Sequence, residues 1–424
     1  NAKILVSNQN QFVVGLSWLH LFPTGFATLT LANTYNDYDT RQNDTLLAPI
    51  FTTTAVERQI ALKAEVALEL VKGTDVAAGV QGTIVRTSAD LSLRPFWTNY
   101  GLQLSTAARA ETSGTKFGWY AQVSHLLGRF RLTGGVRGDL FTLLDGPAVF
   151  APRVSASYAA SPATTVSMSA GTYYQDPALI WLAANPANRS LRPVRVDQYV
   201  AGIDQILRPD TKVSVETYWK HYREYPVSTI RPYLIMANTG AGFGGSEEAF
   251  ASYGIDPLVN AGRGDARGVE LAIQKKLSEI PCYGTFNVSY NESRFVPLDG
   301  IERPGSFDQR WILNLGGGYL IDEHWEASAK FRLATGRPYT PYETDGRQAI
   351  DRYNAERIGV NHALDLRVDR RWPFARWSLI TYLDIQNVYN RKAVDVPRYN
   401  ERLGQTEQAD AIGILPSIGI SAEF

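Results

Sequence analysis

The stretch ILPSIGISAEF, Ile414 to Phe424, decides how the rest of the chain is read. Counting back from Phe424, the residues Ala422, Ile420, Ile418, Pro416 and Ile414 share one face. Glu423, Ser421, Gly419 and Ser417 share the other, with Leu415 the one apolar intruder. A period of two marks a strand with one greasy and one polar side. Ending on an aromatic with no polar tail, such a strand lies at the edge of its sheet. In a soluble sheet that edge invites aggregation, whereas a closed barrel pairs its last strand with its first and removes it. On this segment alone, the final strand of a soluble sandwich is the alternative.

Working outward, the same alternation recurs. Phe12, Val14, Leu16 and Trp18 alternate with Val13, Gly15 and Ser17, and a turn at Pro23-Thr24-Gly25 leads into a strand through Leu29 and Leu31. Between Ile60 and Leu70 the apolar face is Ile60, Leu62, Val66, Leu68 and Leu70, and Lys63, Glu65 and Glu69 lie opposite. Ala, Leu, Glu and Lys are helix formers, but a helix would scatter those charges around its surface, so the segment is expected to be a strand. Lys72-Gly73-Thr74-Asp75 then reverses the chain into Val76 to Asp90.

Short turns follow at Gly128, 161–163, 209–210, 278–281, 322–324 and 373–375. They alternate with long connections at about 38–56, 91–115, 175–193, 224–265, 295–306, 336–360 and 390–412. Short turns at one end and long polar loops at the other is the asymmetry of a bacterial outer-membrane barrel. Asp365, Arg367, Asp369 and Arg371 alternate with Leu364, Leu366 and Val368. Glu326, Ser328, Lys330 and Arg332 alternate with Trp325, Ala327, Ala329, Phe331 and Leu333. In a membrane barrel the apolar set faces lipid and the charged set lines the lumen. Trp325, Trp372 and Trp377 sit beside short turns, where an aromatic girdle is expected.

Composition fits this picture. The chain of 424 residues carries 42 Lys plus Arg and 42 Asp plus Glu, so no bulk charge points to nucleic acid. Cys282 is the only cysteine, which excludes an intrachain disulfide framework and a multi-cysteine metal site. No apolar run approaches the roughly 18 residues of a transmembrane helix, so a membrane could be crossed only as a β-barrel. No leader precedes Asn1: either one was cleaved or the sequence is part of a longer protein. Seventeen strands are counted back from Phe424. Bacterial single-chain barrels close on even numbers, so either Ala2 to Ser7 supplies an eighteenth or upstream strands lie outside the sequence. The fold class expected is all-β, a transmembrane antiparallel β-barrel.

Several segments resemble the barrel of TonB-dependent outer-membrane receptors. These are Phe150 to Leu179, Asn188 to Leu207 with the following YWKHYREYP, Asn260 to Ser278, Ser306 to Leu320, Phe331 to Glu343, Leu383 to Arg391 and the terminal SIGISAEF. They occur in the family's order. The resemblance implies a barrel of about 22 strands with a plug in its lumen, and a short TonB-contacting box before the plug. Plug and box are not recognisable in this sequence. The expectation is therefore that residues 1–424 are the barrel part of a receptor, with a shorter plugless relative as the alternative. The implied partners are outer-membrane lipid and lipopolysaccharide, the TonB complex acting through a plug, a surface lipoprotein, and an extracellular small-molecule, sugar or peptide ligand.

No catalytic or metal-binding set and no cofactor is expected. His20, His125, His221, His324 and His362 are scattered, and none sits in a ligand motif. The runs Gly316-Gly317-Gly318 and GAGFGG, Gly240 to Gly245, look phosphate-like, but no helix N-terminus follows either. The first lies within a strand, where glycine relieves curvature or makes room for a neighbour. Glu65/Glu69 and Asp365/Asp369 alternate with Lys63 and Arg367 as a lumen charge ladder rather than an acid–base pair. The candidate ligand-binding residues lie on the long loops: Trp97 with Tyr100, Tyr173 and Tyr174 with Trp181, Tyr222 and Tyr225, and Tyr339, Tyr342 and Tyr353 with Arg337 and Arg347. Aromatics with arginine suit anionic or aromatic ligands. Loop packing and girdle are the alternative role for each. The functional expectation is ligand capture and TonB-driven import. A passive pore or structural barrel is the alternative, and a soluble sandwich or adhesin a third.

Overall fold

The computed structural model describes residues 6–44, 46–146, 148–239, 255–400, 402–408 and 412–424. Seventeen full strands follow one another: β1 (Val6–Phe22), β2 (Gly25–Asn43), β3 (Pro49–Val71), β4 (Thr74–Trp97), β5 (Gln103–Leu127), β6 (Phe130–Phe141), β7 (Ala148–Ser161) and β8 (Thr164–Gln175). After the short helix α1 (Leu179–Ala184) come β9 (Val194–Arg208), β10 (Thr211–Ser228), β11 (Leu258–Lys275), β12 (Cys282–Val296), β13 (Trp311–Leu320), β14 (Trp325–Ala334), β15 (Asn361–Pro373), β16 (Ser378–Gln386) and β17 (Leu415–Glu423). With a two-residue strip at Arg303–Pro304 they form one 18-stranded sheet. Each full strand pairs antiparallel with its predecessor and its successor. Among the described residues β1 pairs only with β2, and β17 only with β16.

The expected turns are all present at one end, and at Gly73 and Gly128 the backbone takes φ of 79° and 60°, where glycine carries no Cβ penalty. The stretch expected to be an eighteenth strand is corrected in part. Val6 and Ser7 continue β1, in register with Arg41 and Thr40, and Ala2 to Leu5 lie outside the described residues. Two expected loops are also corrected. β2 and β3 leave only 44–48 between them, and β4 and β5 only 98–102. β3, β4 and β5 run for 23, 24 and 25 residues, against the about 9–11 that cross a bilayer. Their excess stands beyond the membrane on the long-loop side. Polar composition there looked like loop, but Thr52, Thr53 and Thr54 are β-branched and their backbones pair in an unbroken ladder.

The alternation sorts as expected. Val154, Met168, Tyr199, Ile203 and Trp219 are exposed on the outer wall. The inner wall carries charge: Lys63 to Glu65 at 2.8 Å, Lys116 to Asp176 at 2.8 Å, and a two-pronged Arg137–Asp139 pair. Ring pairs mark both borders of the apolar band. Tyr199–Trp219 and Tyr290–Trp311 lie toward the long loops, and Phe130–Tyr158 and Phe374–Trp377 lie at the turns. Gly317 and Gly318 make room within β13, since a Cβ there would lie 2.4 Å from the Tyr283 carbonyl and 2.6 Å from the Tyr283 hydroxyl. The buried apolar core is therefore not in the membrane band. It lies at the long-loop end, where the inner wall turns from polar to apolar at Phe51, Leu91, Leu93 and Phe141.

Candidate ligand-binding mouth

The loops at that end fold inward as a cap. Helix α1 wedges two of its faces into the barrel. Leu182 packs with Phe141, Leu143 and Leu144, while Ile180, Trp181 and Ala184 pack on Phe51, Leu91, Leu93 and Ile255. The loop after β10 contributes Tyr233, Leu234, Ile235 and Met236 to a second core with Leu191, Leu258, Phe295 and Tyr353.

A β-bulge builds one wall of this core. Tyr222 pairs with Gly264 and Tyr225 with Gly262, so Arg223 and Glu224 together oppose Arg263, and Glu224 takes φ of 51°. The extra residue returns both tyrosines to the inner face, where their rings lie 5.7 and 5.1 Å from that of Phe295. Gly264 permits this, because a Cβ there would stand 2.4 Å from the Phe295 ring.

Charged side chains pin the cap. Arg231 is 1% exposed and grips Asp256 through Nε–Oδ2 at 2.7 Å and Nη2–Oδ1 at 2.8 Å. Ser228 donates to the same carboxylate at 2.6 Å. Asn188 donates to the carbonyls of Trp181 and Asp256 and accepts from Leu258 N–H, tying α1 to the start of β11. Asp308, fully buried, takes the guanidinium groups of Arg310 and Arg357 and the Ser293 N–H. None of these residues was singled out from the sequence, since an Arg and an Asp 25 positions apart carry no spacing signal.

The candidate residues separate into groups. Tyr222, Tyr225, Tyr353 and Trp181 belong to the packed cap; Tyr353 lies 6.0 Å from Tyr100 and 5.6 Å from Tyr233, ring to ring. Burial pushes the Tyr233 hydroxyl well above the ordinary phenol range. That hydroxyl and Trp181 Nε1 are buried with no protein partner. Tyr342, Arg347 and Arg337 form an outer group. Tyr342 stacks on Tyr399 at 5.9 Å and accepts from Asn99, Arg347 approaches Gly101, and Arg337 donates to Asp395 at 2.7 Å. Burial pushes the Asp395 carboxyl up, but the Val396 N–H and Arg337 outweigh it and hold the group below its ordinary range.

Tyr339 lies in a small hairpin of Pro338–Tyr339 with Glu356–Arg357. Trp97 ends β4 and is 66% exposed. Tyr173 lies deeper, under the Arg153 guanidinium at 4.2 Å. Tyr174 sits at the rim in register with Arg195, and so is not brought together with the cap tyrosines. The run Gly240 to Gly245 lies outside the described residues.

Below the cap the lumen is polar. One cavity of about 740 Å³ is lined by Lys275, Tyr283, Lys330, Asp365, Arg367 and Asp384. A second of about 460 Å³ lies between Lys116, Arg137, Asp139, Arg153 and Asp176. Such an arrangement can hold and pass a polar solute. Among the described residues it assembles no nucleophile with a base.

The family model described as TonB dependent receptor-like, beta-barrel, matches residues 4–388. The chain belongs to this TonB-dependent receptor barrel family. It is accordingly an outer-membrane protein of the Gram-negative type. Comparison with curated proteins gives no match. Among solved structures it is similar to the copper transporter OprC, with TM-score 0.69 and 12% identity over 97% of this chain and 65% of that one. It is also similar to the ferric-catecholate import receptor Fiu of Escherichia coli K12, with TM-score 0.70 and 11% identity over 98% and 64%. For the ferric yersiniabactin uptake receptor FyuA of Yersinia pestis the values are 0.67 and 16%, over 98% and 61%. At these identities the likeness is one of fold, and the TonB-dependent receptor chain described here spans less than two thirds of the length of each.

Proposed function

We propose that this chain is the barrel part of a TonB-dependent receptor that captures an extracellular ligand at its mouth and imports it with energy from the inner-membrane TonB complex. The observation that carries the reading is the cap itself: inward-folded loops close the long-loop end of a charge-lined lumen. The outer group of Trp97, Tyr342 and Arg347, with Arg337 beside it, makes first contact with the ligand. The buried tyrosines Tyr222, Tyr225 and Tyr353, with Trp181, hold the cap in shape beneath it. Tyr339 flanks the first group, and Tyr173 with Arg153 and Tyr174 at the rim stand along the route inward.

Further strands joining β1 to β17 would complete the barrel, and a plug within it would link the mouth to TonB. The outer edges of β1 and β17, unpaired among the described residues, and the fractional coverage of the relatives support that completion. The ligand is an extracellular small molecule, sugar or peptide, anionic or aromatic in character. Ferric chelates, the class named for Fiu and FyuA, are the first to test.

The experiment is uptake of radiolabelled ferric chelates by cells expressing the full-length receptor, with and without TonB, and with Tyr342→Ala/Arg347→Ala. Uptake that needs both TonB and the pair supports the reading. Uptake that persists without TonB, or small-solute conductance of the full-length protein, makes it a passive pore instead.

A further inference from the structure

The cap is built as two leaves, each tied within itself. The first comprises α1 with the turn after it, residues 228–239 and the approach to β11. Arg231 holds Asp256, Asn188 holds the carbonyls of Trp181 and Asp256 and the Leu258 N–H, and Thr229 N–H donates to the Pro257 carbonyl at 3.0 Å. The second leaf is the 98–102 turn with residues 299–310 and 335–360. Gln348 N–H donates to the Asn99 carbonyl at 2.7 Å, and the Tyr100 hydroxyl to Thr340 Oγ1 at 3.3 Å. Asn354 donates to Thr340 Oγ1 and to the Pro304 carbonyl, and Arg357 pairs with Asp308.

Where the leaves meet, aromatic rings make the contact. Tyr233 of the first leaf sets its ring 5.2 Å from Tyr100 and 5.6 Å from Tyr353 of the second, and those two stand 6.0 Å from each other. Beside them the Asp299 N–H donates to the Pro232 carbonyl at 3.0 Å. Tyr233 is 5% exposed, and its hydroxyl has no hydrogen-bond partner among the described residues. A ring that only filled this space could be a phenylalanine. The hydroxyl adds a group that water satisfies when the leaves part and that goes unsatisfied when they meet. The closed cap is therefore penalised at its seam, while each leaf is held in one piece by its own polar ties. Trp181 Nε1 adds a second buried, unpartnered donor to the same first leaf.

We infer that the cap is a gate that parts at Tyr233, the first leaf moving away from the second as a unit, and that the unsatisfied phenol sets how often it opens. The pairs of Arg231 with Asp256 and of Arg357 with Asp308 lie within the leaves and stay made when the seam opens. What is given up is ring contact, and what is gained is hydration of a buried donor. As control of the mouth, the gate rests on the mouth being the ligand's way in.

The test is access to the chamber beneath the cap, which Gln81 lines. Gln81→Cys in a Cys282→Ser background is labelled, on whole cells expressing the full-length receptor, with a charged, membrane-impermeant maleimide. The labelling rate follows the population of the open cap. Tyr233→Phe removes the unsatisfied hydroxyl and is expected to slow labelling about tenfold, the scale of one unpaired buried donor. Tyr233→Ala empties the seam and is expected to speed labelling by about tenfold or more. Tyr100→Phe loses a bond within its own leaf and is expected not to slow it. Arg109→Cys, at a side chain 88% exposed, should label equally in every background, and heat-modifiable migration on gels verifies that each variant is folded. Labelling that Tyr233→Phe leaves unchanged or speeds would overturn the proposal, as would equal slowing by Tyr100→Phe. So would a Gln81→Cys reporter as fast as Arg109→Cys in otherwise wild-type protein, or one that Tyr233→Ala does not speed. Neither ligand nor TonB enters the measurement, so a gate that fails leaves the import reading untouched, and uptake that fails leaves the gate.

Discussion

Replacing Arg231 by alanine should open the cap without disturbing the barrel. The Arg231 and Asp256 side chains are 1% and 6% exposed, so the substitution leaves a carboxylate in the cap core with Ser228 as its remaining side-chain donor. Breaking a pair buried this deeply costs about 3–5 kcal/mol, most of it the penalty on the abandoned charge. By contrast an exposed pair such as Arg41–Asp39, at 59% and 41%, is worth about 0–1 kcal/mol. At about 1.4 kcal/mol per factor of ten, the cap-open population should rise by about two to four orders of magnitude. Hydrogen–deuterium exchange of amides in 229–239 and 179–191 reads this directly, with β13 and β14 as internal reference. The double variant Arg231→Met/Asp256→Leu removes both charges and should recover most of the lost protection, because apolar replacement of a buried pair is close to neutral. If Arg231→Ala leaves exchange in 229–239 within a factor of three of wild type, or if the double variant is no better, the pin does not hold the cap.

Other outcomes follow from the same structure. Gly336→Ala places a Cβ 1.6 Å from the Ile358 carbonyl oxygen, so the 335–360 loop must shift, and proteolysis within it should accelerate while β14 and β15 stay protected. Leu366→Arg puts a cation on the lipid face and should destabilise the barrel by about 2–4 kcal/mol in urea titrations from bilayers, whereas Ser328→Lys, facing the lumen in register with Arg367, should change it far less. Lys275, Ser278 and Thr211 hold the Asp210 carboxyl, at the β9–β10 turn, far below its ordinary range. The stabilisation is therefore complete above the unfolded carboxylate pKa of about 3.9 and drains away as pH falls toward the folded value. Protection of the amides at 209–211 and 276–278, taken relative to their intrinsic exchange rates, should fall on acidification in the wild type, and Asp210→Asn should flatten that dependence; an equal fall in both would count against the assignment.

Much of the fold was legible because a membrane barrel obeys a rule that is local in sequence. Every second residue must suit hydrocarbon, so Leu364, Leu366 and Val368 against Asp365, Arg367 and Asp369 announce a strand, its two faces and its solvent at once. The tight turns at Gly73, Gly128 and Pro209-Asp210 were equally readable, since their chemistry is contained in a few adjacent residues. The strand extensions 52–57 and 103–115 were not. Beyond the bilayer both faces meet water, the alternation loses its driving force, and Thr-rich backbone is held by pairing that only neighbouring strands provide.

The mouth shows the same division. Its aromatic and arginine content is a property of the sequence, and the candidate residues drawn from it lie toward the long-loop end. Whether a given ring faces ligand or core depends on partners far along the chain. The Glu224 bulge turns Tyr222 and Tyr225 onto Phe295, Tyr233 and Tyr100 enclose Tyr353, and Tyr174 falls in line with Arg195 rather than with its neighbour Tyr173. The sequence by itself determined a transmembrane antiparallel barrel with a charged lumen, because alternation is enforced residue by residue by the two solvents. Only the tertiary structure decided how the mouth is closed, because Arg231 with Asp256, Asn188 with Leu258, and Asp308 with Arg357 meet through loop paths that no local pattern specifies.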